Sequence, residues 1–337
     1  MDHAPVTLTL DTAHRYHFVG IGGIGMSALA QVLLARGLRV SGSDQHDAPM
    51  LRRLAALGAE VSPRHDAAQV RPGDWLILSD AIKPENPEWA RARELGLPIS
   101  TRADLLGCLA NSARGVAVSG THGKTTTSGM LALILVEAGL DPTCVLGGEL
   151  SLLGGNARAG GALTLVEACE AFNSFLNLTP DAALVTNIEA DHLDFHGTAA
   201  HLYDSFRQFL GQVRALAVCQ GDDPLLRGMD GLAPRTVWYG AGADNDYRCT
   251  EVTLGAEPAF TLARRGAGLG RITLQVPGQH NVLNATGAAA LALELGATLP
   301  AVQRALAAFP GMRRRFERIG QFEGALVIDD YAHHPTE

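Results

Sequence analysis

The chain has 337 residues, of which 47% are hydrophobic and 18% charged, and its formal net charge is −8. This length exceeds what one hydrophobic core usually serves, so two or three domains are expected; the composition excludes a disordered chain, and the negative balance argues against a general nucleic-acid binder. No run of 18 or more apolar residues offers a membrane span, and the opening MDHAPVTLTLDTAHRYH lacks the basic start and apolar core of a secretory signal.

The first hundred residues alternate apolar runs with helical patterns. Strands are predicted at 17–22, 38–43, 74–79 and 98–101, with helices such as 25–36 and 87–95 between them. Gly37, Gly58 and Gly96 follow apparent helix ends, where a left-handed residue closes the last turn. Alternating strands and helices imply a parallel sheet. The first strand runs into GIGGIG at 20–25, a G-x-G-x-x-G that opens a helix. Asp44 ends the next strand, where an acidic residue holds a ribose. Alone, this pattern implies a dinucleotide and leaves an NAD-dependent dehydrogenase open. The glycines clear space for a diphosphate at a helix N-terminus without saying whose it is.

The polar NSARG at 111–115 reads as a linker. A second unit follows, with strands at 116–119, 163–167, 183–187 and 216–219. Its first strand leads into SGTHGKTTT. The usual phosphate loop carries a glycine separated by four residues from its Gly-Lys pair; here that position is Val118. Gly120 and Gly123 still let backbone N–H groups face phosphate, Lys124 reaches the β/γ-phosphates, and Thr125 places a hydroxyl on Mg²⁺. Of 27 basic residues only two are lysine, Lys83 and Lys124, which favours a function for Lys124 that arginine's planar fork does not replace. Glu167 ends a strand and His192 lies just beyond another, so both reach the sheet edge that carries the loop. His192 and His196 also have a zinc-like spacing, but HLDFH lacks the H-E-x-x-H order, and His196 is read as an ordinary surface or core residue.

Residues 236–276 hold short β runs that suggest an antiparallel ribbon appended to the parallel sheet, and helices resume at NVLNATGAAALALELG and PAVQRALAAF. From Gly311 onward come RRRFERIG, one apolar strand ALVIDD and YAHHPTE, whose Pro-Thr-Glu resembles a helix's first turn. So short a piece does not bury its own core, and it reads as the start of a third domain, with ALVIDD lacking sheet partners. The five cysteines are scattered, with no Cys-x-x-Cys pair, and read as reduced thiols of a cytosolic protein.

HFVGIGGIGMSALA, SGTHGKTTT, TNIEADHLD, HNVLNATGA, RRFE and DDYAHHPTE resemble, in that order, the motifs of the Mur ligases. The resemblance runs from about residue 17 to 337; GTHGKTTT and DDY-x-HHPTE are its specific parts. It implies an α/β chain of three units: a Rossmann-like UDP-sugar domain at 1–112, a P-loop-type ATP-binding domain with its β ribbon at 113–310, and the start of a truncated Rossmann-like C-terminal domain at 311–337. It moves the first glycine loop from NAD to a UDP diphosphate, held by Gly22, Gly23, Ile24, Gly25 and Asp44. ATP is implied on Gly120, Thr121, His122, Gly123, Lys124, Thr125, Thr126, Asn281 and Asn284, with Arg315 and Asp330 bridging from the third unit. Mg²⁺ is implied on Thr125, Glu167 and His192, and the catalytic set is Lys124, Glu167 and His192.

The implied activity joins L-alanine to the carboxylate of UDP-N-acetylmuramate at the expense of ATP, through an acyl phosphate, for peptidoglycan precursors in the cytoplasm. No nucleic-acid or membrane partner is expected, and the sequence carries no signal for an oligomeric state. The 337-residue chain is expected to bind the UDP-sugar but not to form the amide at a useful rate by itself, which leaves a non-catalytic UDP-sugar- or nucleotide-binding fragment as an alternative. Two departures from the family pattern stand out. Where it reads EADESD-x-SFL, this chain has EACEAFNSFL: Glu167 and Glu170 stay, while Cys169 and Phe172 replace acidic residues. No lysine follows Lys124, so the carbamylated lysine of several sister ligases is excluded.

Overall fold

The structure is a computed structural model that describes residues 8–45, 49–191 and 193–337. The first unit comprises β1 (Arg15–Val19), α1 (Ile24–Ala35), β2 (Arg39–Ser43), α2 (Pro49–Ala56), β3 (Glu60–Ser62), β4 (Asp74–Leu78), α3 (Pro87–Glu94), β5 (Ile99–Thr101) and α4 (Arg102–Asn111). Its strands form one parallel sheet in the order β3-β2-β1-β4-β5. The chain order reverses beside β1, and such a switch point leaves a crevice at the carboxyl ends of the strands. β1 and β4 are buried along their whole length, as expected of parallel strands covered on both faces.

The strand expected at 17–22 stops at Val19. Gly20 turns the chain at φ +87, and the N–H groups of Gly20 and Ile21 donate to the Ser43 carbonyl at 2.8 and 2.9 Å. The expected linker NSARG is instead a packed corner. α4 starts with a Thr101–Asp104 capping box and runs through Asn111, whose side chain bonds to Asn177 and Thr179, and the next strand already begins at Arg114. The apolar period of α4 and the long-range bonds of Asn111 outweigh the polar composition on which the linker was read.

The second unit contains β6 (Arg114–Ser119), α5 (Lys124–Glu137), β7 (Thr143–Leu150), β8 (Gly155–Arg158), β9 (Leu163–Glu167), β10 (Ala182–Val185), α6 (Leu193–His196), α7 (Ala199–Gly211), β11 (Leu216–Gln220), α8 (Pro224–Arg227), β12 (Thr236–Gly240), β13 (Tyr247–Thr253), β14 (Ala259–Arg264), β15 (Ala267–Thr273), α9 (Gln279–Glu294) and α10 (Leu299–Ala308). One ten-stranded sheet runs β15-β14-β13-β12-β11-β10-β6-β9-β7-β8. The pairs from β7 through β9, β6, β10, β11 and β12 to β13 are parallel, and β13-β14-β15 continue the same sheet as an antiparallel ribbon; the expected ribbon began at 236, but TVWYG is β12 and belongs to the parallel part, pairing parallel on both sides. The β7–β8 hairpin was not foreseen. α5 packs against α9, α10 and the sheet and is buried nearly all round, which removes the one-sided pattern of a surface helix.

The two units meet where α1 lies on β7 and β8. Fully buried Asn156 donates to the Ile24 carbonyl at 2.6 Å and accepts from Gln31 at 2.9 Å. After α10 come β16 (Glu317–Phe322) and β17 (Ala325–Asp329), which pair antiparallel with each other in a largely exposed two-stranded sheet. The strand ALVIDD therefore has a partner, contrary to expectation, because the polar-looking segment before it is itself extended. Pro335 and Thr336 form a turn, not a helical one. Among the described residues, no helix is long and apolar enough to cross a membrane.

Candidate functional site

Two glycine loops leave the carboxyl ends of β1 and β6. The helices after them, α1 and α5, begin at Gly23 and Gly123 with no side chain capping their first N–H groups. α3, α4, α7 and α8 are capped by Asn86, Thr101, Thr198 and Asp223, while α9 and α10, at Gly278 and Thr298, also lack a side-chain cap. Uncapped N–H groups with the positive end of the helix dipole suit an anionic ligand. At the first loop, Gly22 N–H donates to Asp44 Oδ2 at 2.8 Å, and the Asp44 carboxylate also takes the Gln45 N–H. Asp44 thus braces the loop itself. A Cβ on Gly22 would lie 2.8 Å from Asp44 Oδ2, whereas one on Gly25 would meet the Arg102 side chain. Ile24 stays exposed.

At the second loop, a cavity of about 390 Å³ opens between the starts of α5 and α9. Every residue expected to touch ATP lines it except Gly120. Gly120, at φ +125, lies so close to Thr186 that no Cβ fits there. Gly123, at φ +81, faces Asn284, whose Oδ1 stands 2.6 Å from where a Cβ would be. Asn284 in turn donates to Asn281 Oδ1 at 3.3 Å, and Asn281 to the Pro277 carbonyl at 2.7 Å. Asp330 is spent on the backbone, accepting from the Phe316 and Ala332 N–H groups, and Arg315 pairs with Glu337 at 3.2 Å.

Lys124 Nζ donates to the carbonyls of Gly120 (2.5 Å) and Thr121 (2.8 Å) and to Glu170. Burial alone would lower its ammonium, but the carboxylates of Glu170 and Glu167 outweigh that and hold it above the usual lysine value. Glu167 accepts from Thr125 Oγ1 and from the Gly147 N–H, each at 3.1 Å. Burial pushes its carboxyl up, against the pull of Lys124 and these two donors. A buried carboxylate beside a hydroxyl is a hard oxygen pair that fits Mg²⁺. His192, the third expected ligand, lies outside the described residues. His196 is buried against the Glu170 carbonyl at 3.3 Å, in keeping with a core role.

In the departure segment, Phe172 and Asn173 both sit at φ +55. Phe172 is 62% exposed and meets Phe195 edge-on at 5.2 Å. Ten cavity residues were not singled out as site residues from the sequence, among them Asn187, Glu189, His280 and Glu337. These four lie inside TNIEADHLD, HNVLNATGA and DDYAHHPTE, and Asn187 accepts from the His122 N–H at 2.9 Å.

Comparison with known proteins gives this arrangement a lineage. The catalytic domain of the Mur ligase family matches residues 15–114, and the Mur ligase middle domain matches residues 118–292. The chain belongs to the Mur ligase family. A UDP-N-acetylmuramate–L-alanine ligase of Sorangium cellulosum is 45% identical over 326 residues, 95% of this chain and 70% of the relative. One from a Geobacter species is 44% identical, over 96% of this chain and 71% of its own. The crystal structure of the UDP-N-acetylmuramate–alanine ligase MurC of Thermotoga maritima superposes with a TM-score of 0.85 at 33% identity, covering 96% of this chain and 75% of that one. Family membership removes the NAD-dependent dehydrogenase reading of the first glycine loop. In this Mur ligase, that loop and the ATP-type loop stand on separate sheets.

Proposed function

We propose that this Mur ligase joins L-alanine to the carboxylate of UDP-N-acetylmuramate in an ATP-dependent reaction of peptidoglycan precursor synthesis. The relatives' activity and the cavity at the start of α5 support the same reading. The observation that carries it is the convergence on that cavity of the phosphate loop, Glu167, the Asn281–Asn284 pair of α9 and Arg315. Three units serve the work: 1–112 for the UDP-sugar, 113–310 for ATP, and 311–337 at the rim of the nucleotide cavity.

The muramate carboxylate takes the γ-phosphoryl group of ATP, and the resulting acyl phosphate is opened by the alanine amine, releasing phosphate. Two anions must approach each other in the first step. Lys124 supplies fixed positive charge there, and the N–H groups at the start of α5 supply more. Thr125, Glu167 and His192 are the residues that would hold Mg²⁺, whose chemistry is to neutralise phosphate charge. The first glycine loop, with Gly22, Gly23, Ile24 and Gly25 braced by Asp44, takes the UDP diphosphate. All five cysteines are free, which suits a cytoplasmic enzyme.

The test is incubation with ATP, Mg²⁺, UDP-N-acetylmuramate and L-alanine. The expected product is UDP-N-acetylmuramoyl-alanine, read by mass spectrometry, with phosphate release that needs all three substrates. Calorimetry measures UDP-N-acetylmuramate and ATP binding separately. Binding of NAD in place of the UDP-sugar, with no product, overturns the proposal.

A further inference from the structure

We propose that His122, Glu189 and His334 form a site for a borderline transition-metal cation of the Zn²⁺ class, distinct from the Thr125–Glu167 oxygen pair. Such a cation would tie the segment 331–337 to the phosphate loop. The three side chains come from three parts of the chain: the loop after β6, the stretch after β10, and the stretch after β17. One ligand atom from each lies within 4.8 Å of the other two.

Each of the three residues is tied to its neighbours by hydrogen bonds. The His122 backbone is fixed by Asn187 and Thr186: its N–H donates to Asn187 Oδ1 at 2.9 Å, and its carbonyl accepts from Thr186 Oγ1 at 2.6 Å. Its Nε2 is buried, lacks a hydrogen-bond partner and lies 3.4 Å from Glu189 Oε2. Glu189 is clasped to the loop from both sides of its backbone, its N–H donating to Thr121 Oγ1 and its carbonyl accepting from the same hydroxyl. Glu189 Oε2 accepts from Thr336 Oγ1 at 2.8 Å, which brings the third segment over the pair. The rings of His122 and His334 stand 4.8 Å apart at 37°. His334 Nδ1 accepts a 3.2 Å bond from the Thr336 N–H, a contact that a cation at that nitrogen replaces. Glu337 Oε1, 3.7 Å from His122 Nδ1, is already paired with Arg315.

A buried ring nitrogen without a partner calls for an explanation, and a cation gives it one. Two imidazoles and one carboxylate are the donor set of zinc sites that keep a fourth position open, whereas Mg²⁺ prefers an all-oxygen shell. His122 and Glu189 line the nucleotide cavity, so the open position faces it. This inference does not depend on the ligase activity, since binding is read without nucleotide.

The test uses the full 337-residue chain and the metal alone. Zn²⁺ is titrated by calorimetry and Co²⁺ by its visible absorption. About one equivalent should bind, with a nitrogen–oxygen Co²⁺ spectrum free of sulfur charge transfer that Zn²⁺ abolishes. His334→Gln and Glu189→Gln should each weaken binding by roughly 10–100-fold or more. His333→Gln, altering the exposed neighbour that bonds instead to the Tyr331 carbonyl, should leave it unchanged. Unfolding midpoints measured without metal show that the variants fold. Absent or non-saturable Zn²⁺ binding overturns the proposal. So does binding that survives His334→Gln, or that is lost in Glu167→Gln while His334→Gln retains it, which would place the cation on the oxygen pair.

Discussion

Lys124 Nζ lies 2.8 Å from Glu170 Oε2, and the Glu170 side chain is shut off from solvent. The lysine expected to meet phosphate is thus held by the glutamate that survives in the altered EACEAFNSFL segment. A buried ammonium left alone would be costly, and so would the carboxylate.

Lys124→Ala should abolish phosphate release while UDP-N-acetylmuramate affinity stays near normal, because the two loops stand on separate sheets. The lost contact with ATP costs about 1.5–3 kcal/mol in binding and more where charge develops. Lys124→Arg should fail as well, since a planar fork does not fit a pocket of two carbonyls and one carboxylate. Calorimetry with each nucleotide ligand, alongside a phosphate-release assay, checks both; normal turnover in either variant refutes the role.

Gly123→Ala should lower ATP affinity without unfolding the chain. Its Cβ would stand 2.6 Å from Asn284 Oδ1 in a left-handed backbone, so either the loop or the asparagine must shift. Left-handed strain costs about 1–2 kcal/mol. Asn284→Ala removes a residue assigned to ATP, so the double variant is compared with Asn284→Ala alone: on that background Gly123→Ala should cost less affinity, because the clash is gone and only the strain remains. Equal ATP affinity in Gly123→Ala and the parent chain would contradict this picture.

Gly22→Val tests the other loop. The new side chain meets the Asp44 carboxylate and Leu51, displacing the brace that fixes the Gly22 N–H. UDP-N-acetylmuramate binding should drop while ATP binding persists. A drop in both would show that the two loops are not separable.

Glu88 predicts a pH response. It is fully buried beneath the first loop, accepts from Ser43 Oγ at 2.5 Å and from the Asp66 N–H, and faces His17 at 3.6 Å and His65 at 3.4 Å. Burial pushes its carboxyl up, but His17 and Ser43 prevail and hold it below the ordinary glutamate value. The stability it adds is therefore present above the unfolded value of about 4.3 and is lost as pH falls through the lower, folded one. Glu88→Gln should destabilise the chain at neutral pH by roughly 1.5–3 kcal/mol, and the gap to the parent should narrow in acid. Urea midpoints at several pH values measure it; a constant gap would argue that charge plays no part.

The parallel strands, both glycine loops and most of the polar lining of the cavity at the start of α5 could be read from the sequence because each leaves a local mark: an apolar run, a glycine forced by close approach, a lysine where arginine is otherwise used. The β7–β8 hairpin left none. Its strands carry Gly147, Gly148 and Gly155, and the first two are small because Glu167 and Thr125 crowd them. That reason lies in distant residues. NSARG misled for a similar cause, since the partners of Asn111 are Asn177 and Thr179, more than sixty positions away. Glu189 escaped notice because its significance depends on His122 and Thr336, which only folding brings near.

Asn156 gives the hairpin a mechanical meaning. It sits on β8 and grips the first turn of α1 through the Ile24 carbonyl and Ser27, immediately after the glycine loop of the first sheet. β8 is paired to β7, and the Gly147 N–H of β7 holds Glu167, which in turn holds Thr125 at the start of α5. A short lever of hydrogen bonds thus runs from one anion loop to the other. The hairpin thereby sets the spacing between the first turn of α1 and the carboxylate beside the phosphate loop.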